Sequence, residues 1–112
     1  MSDKKIDRTG AFIPQNGLPT LVFNSAVGWM SCKQVRSVVD GLRYDTQSQI
    51  NYVILDVANK EDQELARELG ILGFPRICTI DADGATVLER HAGPIDVDVL
   101  TQIIAEAVEP NS

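Results

Sequence analysis

The sequence predicts an α/β fold: a central mixed β-sheet flanked by helices, in the order β-α-β-α-β-β-α after a short N-terminal arm or edge strand. Three observations carry this prediction. Two apolar runs of strand type, over 20–24 and 49–57, are separated by a stretch with helical periodicity, and a helix crossing between two strands of one sheet makes them parallel. Asp81-Ala82-Asp83-Gly84 then lies between two further short runs, as the turn of an antiparallel hairpin does. Finally, the C-terminal stretch repeats apolar residues at helical spacing.

The chain has 112 residues, 44% of them hydrophobic, which suffices for one modest core and leaves little room for a second. The expected division is an arm or edge strand over 1–19 and one domain over 20–112. A net charge of −6 argues against nucleic acid and anionic membrane as partners, because affinity for phosphates rests on clustered Lys and Arg. No apolar run approaches the roughly 18 residues of a spanning helix, and the polar start Met1-Ser2-Asp3-Lys4-Lys5 is unlike a signal peptide. The expectation is a cytoplasmic protein. Two cysteines and one histidine are too few for a disulfide scaffold or a cysteine-rich zinc site, so no metal and no cofactor is expected.

Each element has a local cause. Ala11-Phe12-Ile13 is stopped by Pro14, and Asn16-Gly17-Leu18-Pro19 is turn-forming. Thr20 to Asn24 lacks polar alternation, as a central strand buried on both faces does. A helix is expected from Ser31 to about Tyr44, with Val35, Val38, Val39 and Leu42 on one face. The run from Gln49 to Val57 reads as a second buried strand. Asn59 is a candidate N-cap, followed by Glu61 and Asp62 where the helix dipole favours acids; Leu65, Ala66 and Leu69 form the buried stripe, and Gly70 is placed to end the helix. Arg76 to Ile80 is a strand, and Ala85 to Glu89 is expected to pair back on it. Asp96 can cap a last helix whose apolar face holds Val99, Leu100, Ile103, Ile104, Ala107 and Val108.

The stretch Leu21-Val22-Phe23-Asn24-Ser25-Ala26-Val27-Gly28-Trp29-Met30-Ser31-Cys32-Lys33 is a buried strand, a short turn and a helix opening with a cysteine. A thiol in the first turn of a helix is near unpaired N–H groups and the positive end of the dipole, which favour thiolate. Together with Gly70-Ile71-Leu72-Gly73-Phe74-Pro75 and the Asp83-Gly84 hairpin, this resembles the thioredoxin family over roughly 20–108. Aligned on Cys32-Lys33, the family's second cysteine is present and its first, the attacking one, is replaced by Trp29 or Met30. Val22 stands where the family has a buried carboxylate that assists proton transfer. The resemblance implies that Pro75 follows a cis peptide bond and packs against the active-site turn. It also implies that Phe74 and Arg76 flank a groove for an extended peptide, and that Gly93 lets the peptide approach closely. The candidate partner-binding residues are then Trp29, Met30, Ser31, Phe74, Pro75, Arg76 and Gly93, and the candidate catalytic residue is Cys32.

Each of these has a plainer reading. Cys32 is either a low-pKa thiol that forms mixed disulfides or a residue packed under the turn, since free cysteine is among the most buried residue types. Trp29 and Met30 form either a contact surface for a protein or a cover over Cys32. Cys78 reads as a core residue in mid-strand, His91 as a surface histidine, and Asp56, Asp62, Glu64 and Glu68 as a solvated face. The resemblance therefore implies a thioredoxin-like protein that lacks the dithiol pair. Its role is thiol-related, capturing a protein or peptide partner through Cys32 without ordinary disulfide-reductase turnover, so it is at most a monothiol oxidoreductase. The alternative is a non-catalytic peptide-binding or regulatory module using the groove beside Pro75.

Overall fold

A computed structural model describes residues 13–26, 37–42, 49–73, 75–92 and 96–108. Four strands, β1 (Thr20–Ser25), β2 (Asn51–Asp56), β3 (Arg76–Ile80) and β4 (Val87–Ala92), form one sheet in the order β2-β1-β3-β4. β1 pairs parallel with β2 and antiparallel with β3, and β3 pairs antiparallel with β4. Residues 37–42 are helical and are called α1; α2 spans Lys60–Leu69 and α3 spans Val97–Val108. The element order is the expected one, and the sheet is mixed.

Strand alternation sorts the core into two layers. Leu21, Phe23 and Ile77 face α1 and α3, where they pack with Val39, Leu100, Ile103, Ile104 and Ala107. Val22, Leu55, Cys78 and Ile80 face α2, where they pack with Leu65, Ala66, Leu69 and Ile71. All six residues of β1 are buried, as its unbroken apolar run predicts. β2 departs from the expectation of a fully buried strand. Only Leu55 is buried there, because among the described residues β2 has a neighbour on one side only.

The helix ends follow their local signals. Asn59 caps α2 by accepting the Asp62 N–H at 3.0 Å, and Gly70 ends it in the left-handed region at φ 77°. A side chain at Gly70 would meet more than backbone strain, since its Cβ would stand 2.7 Å from Arg90 Nε. Asp96 accepts the Val99 N–H at 2.9 Å and caps α3. Asn59→Ala is expected to cost about 1 kcal/mol of folding stability, readable as a lower urea midpoint; an unchanged midpoint would show that the cap contributes nothing.

Two boundaries differ from expectation. β4 begins at Val87 and runs to Ala92, later than the predicted 85–89. The cause lies in the turn, where Asp83 Oδ1 accepts the N–H groups of Ala85 and Thr86, both at 2.9 Å, so neither residue joins the ladder at its start. A register shift at Thr79/Ile80 absorbs the difference. On α3 the buried stripe is Leu100, Ile103, Ile104 and Ala107, and Val99 is 41% exposed, one position off that stripe.

Residues 13–19 carry no strand. Ile13 is fully buried in the α2-side layer, and Gln15 Nε2 donates to the Gly84 carbonyl at 3.2 Å. Asn16 and Asn51 exchange side-chain amide hydrogen bonds of 3.0 and 2.9 Å, which fasten this segment to the start of β2.

Candidate functional site

The carboxyl ends of the parallel strands β1 and β2 point to the same end of the sheet, the end where α/β proteins commonly hold ligands. The described segment 71–73 lies at that end, tied to Asn24 near the end of β1, and Pro75 precedes β3. Pro75 is buried and Arg76 is exposed at the first position of β3, antiparallel to Asn24. Leu72, which the sequence reading did not single out, is 44% exposed just before Gly73. Gly73 takes φ 102°, a conformation that favours glycine.

Of the eight site residues expected from sequence, Pro75 and Arg76 are described. Trp29, Met30, Ser31, Cys32, Phe74 and Gly93 lie outside the described residues, and with Phe74 so does the expected cis bond to Pro75. Val22 is fully buried and stands opposite Cys78 in the β1–β3 ladder, so an apolar side chain occupies the place at which the family's carboxylate was expected.

The strongest polar feature at this end of the sheet involves two residues not singled out from sequence. Asn24 is fully buried, and its Nδ2 donates to the carbonyls of Ile71 and Gly73, each at 3.0 Å. Its Oδ1 accepts from Gln63 Nε2 at 2.9 Å, and its Nδ2 also reaches Gln63 Oε1 at 3.3 Å. Gln63 Nε2 donates as well to the Asp56 carbonyl, at 3.1 Å. One amide pair thus joins the ends of β1 and β2, the first turns of α2 and the segment before Pro75. The available signal was an amide side chain directly after the apolar run Leu21-Val22-Phe23 of a buried strand, where burial obliges it to find partners.

The two thiols of the sequence are Cys32 and Cys78. Cys78 is free and fully buried on the α2 side of the sheet, the face away from α1. Burial pushes its thiol up to about 12, and the charge of Arg90 offsets only part of the shift. The acidic residues of the α2 approach hold backbone: Asp62 Oδ2 accepts the Asp56 N–H and Asp56 Oδ1 accepts the Ala58 N–H, both at 2.9 Å. His91 is half-buried rather than fully on the surface, 3.1 Å from Glu89, and that hydrogen bond holds the Glu89 carboxyl below its usual range. Among the described residues, no group of three His, Cys, Asp or Glu side chains is arranged to hold a metal ion, and no helix is long and apolar enough to cross a membrane.

A mixed four-stranded sheet with helices on both faces, and a buried proline leading into the strand antiparallel to its centre, defines an α/β protein. The sequence matches the family model of the thioredoxin-like domain over residues 9–107, and the chain belongs to that family. Among solved structures it is similar to the X-ray structure of Fasciola hepatica thioredoxin, with a TM-score of 0.70 and 19% identity over 94% of this chain and 89% of that one. It is also similar to a malarial protein, with a TM-score of 0.67 and 18% identity over 80% of this chain and 97% of that one. At these identities the likeness is one of fold. No curated protein matches the chain.

Proposed function

We propose that this chain is a monothiol member of its family, capturing a protein or peptide partner through Cys32 in the groove beside Pro75 and completing no dithiol cycle by itself. Membership of the family supports a thiol-related role in general. The observation that carries the narrower reading is the state of the other thiol. A second sulfur must ionise and reach the first to resolve a mixed disulfide, and Cys78 is sealed in the core with its thiol at about 12. In the proposed step the Cys32 thiolate attacks a partner disulfide, forming one S–S bond to the partner while the partner's other sulfur leaves as thiolate. Release then requires an external thiol.

The test is incubation with glutathione disulfide followed by intact-mass measurement. Wild type and Cys78→Ser should gain one glutathione each, and Cys32→Ser none. In parallel, dithiothreitol-driven insulin reduction should stay at the uncatalysed rate. Thioredoxin-like insulin reduction, or loss of the adduct in Cys78→Ser with retention in Cys32→Ser, overturns the reading.

A second reading, the non-catalytic peptide-binding module, is favoured by two observations. Buried Val22 offers no proton-handling group, and Leu72, three residues before Pro75, is exposed apolar surface. A Cys32 that resists alkylation across the pH range, in a protein that still binds peptide, would favour this module over thiol capture.

A further inference from the structure

We infer that Asn24 and Gln63 are positioning residues for the Pro75 groove: their amide pair fixes the segment 71–73 against the end of β1 and so sets where Pro75 and Arg76 meet a partner peptide. The inference rests on the groove reading above and adds how the groove is held in shape.

The geometry makes this segment depend on side chains. Ile71 is anchored through its own N–H, which bonds to Ala66 at 2.8 Å, and through its buried side chain. Leu72 and Gly73 are exposed, and Gly73 takes a backbone conformation open to glycine at little cost. Between that anchor and the ladder that begins at Arg76, the Asn24 amide binds two carbonyls of the segment, those of Ile71 and Gly73. A single NH₂ group that satisfies two carbonyls two residues apart fixes the curvature of the chain between them.

Asn24 can do this only in one orientation. An amide whose oxygen faced Ile71 and Gly73 would present an acceptor to two acceptors. Gln63 selects the productive orientation, because its Nε2 is committed to the Asp56 carbonyl and to Asn24 Oδ1, and this turns the Asn24 Nδ2 toward the segment. The pair acts as a keyed latch: α2 supplies the key, β1 the bolt, and the approach to Pro75 is what it holds. Gln63 is only partly buried, so the latch can be opened without emptying the core.

The test uses Gln63→Leu, which keeps the bulk and removes every amide bond of Gln63, with Asn24→Ser as a second variant. Two pyridyl disulfides serve as probes, one on a six-residue peptide and one on methanethiol. In each case Cys32 thiolate forms an S–S bond with the probe and pyridine-2-thione leaves, giving an absorbance readout. The quantity read is the ratio of the two rates, which cancels the intrinsic reactivity of Cys32.

Wild type should prefer the peptide probe. Gln63→Leu should lose that preference about tenfold through misplacement of the groove, which costs rate steeply with distance, while the methanethiol rate is unchanged. Retained preference in a folded Gln63→Leu protein overturns the inference and leaves the groove reading standing. A wild-type protein with no peptide preference overturns the groove reading and this inference with it, a distinct result because it appears before any substitution.

Discussion

Replacing Phe23 with alanine is expected to lower folding stability by about 3–5 kcal/mol, a large share of the 5–15 kcal/mol typical of a domain. Phe23 is among the largest fully buried side chains, at 0% exposure, and faces the layer built by Leu21, Ile77, Val39, Leu100, Ile103, Ile104 and Ala107. Its backbone is held on both sides, in register with Ile54 of β2 and Ile77 of β3. β1 therefore cannot shift to fill the space left by the ring, and a cavity term adds to the lost transfer energy. Urea unfolding followed by circular dichroism should show a much lower midpoint with an unchanged slope. Val97→Ala, at a residue 51% exposed on the first turn of α3, should stay within about 0.5 kcal/mol of wild type. A Phe23→Ala loss no larger than that of Val97→Ala would mean that the layer between β1 and α3 is not where the core is built.

What could be read from the chain divides by the range of the interactions involved. Asn59, Gly70 and Asp96 were legible as caps because each bonds within a few residues of itself. The buried character of β1 was legible because a strand covered on both faces has no polar alternation. The place of β2 in the sheet was not, since an apolar run reads alike in a central strand and in one paired on a single side. The start of β4 was missed through competition: Asp83 is a good turn former, and its carboxylate took the N–H groups of Ala85 and Thr86 that a strand would have used. For the candidate site, the motif Gly70 to Pro75 pointed to one wall of the proposed groove. The latch beneath it was hidden by sequence distance, because Asn24 meets Gln63, Ile71 and Gly73 across separations of 39, 47 and 49 residues. Nothing near Asn24 in the chain names those partners.

The largest pH effect is expected at Cys78. Its thiol is raised from an ordinary 9.0 to about 12 by burial beneath α2, opposed only in part by Arg90. The folded state holds the neutral thiol and the unfolded chain releases the proton more readily, so the sign is fixed. Stability is untouched below about pH 9 and falls as the pH rises from there toward about 12, with a limiting slope near 1.4 kcal/mol per pH unit and a total of about 4 kcal/mol. Lysine and tyrosine residues also titrate in this window, so the measurement is a comparison. Urea unfolding of wild type and Cys78→Val from about pH 8 to about pH 10.5 should give curves that run parallel at first and then diverge, wild type falling faster. The divergence is the readout, because valine alters packing by a constant amount that cancels in the slope. Curves that stay parallel would mean that the thiol ionises in the folded protein nearly as easily as in the unfolded chain. That result would also weaken the monothiol reading at its root, since a Cys78 able to ionise in the native fold could serve as the second sulfur that the proposed chemistry lacks.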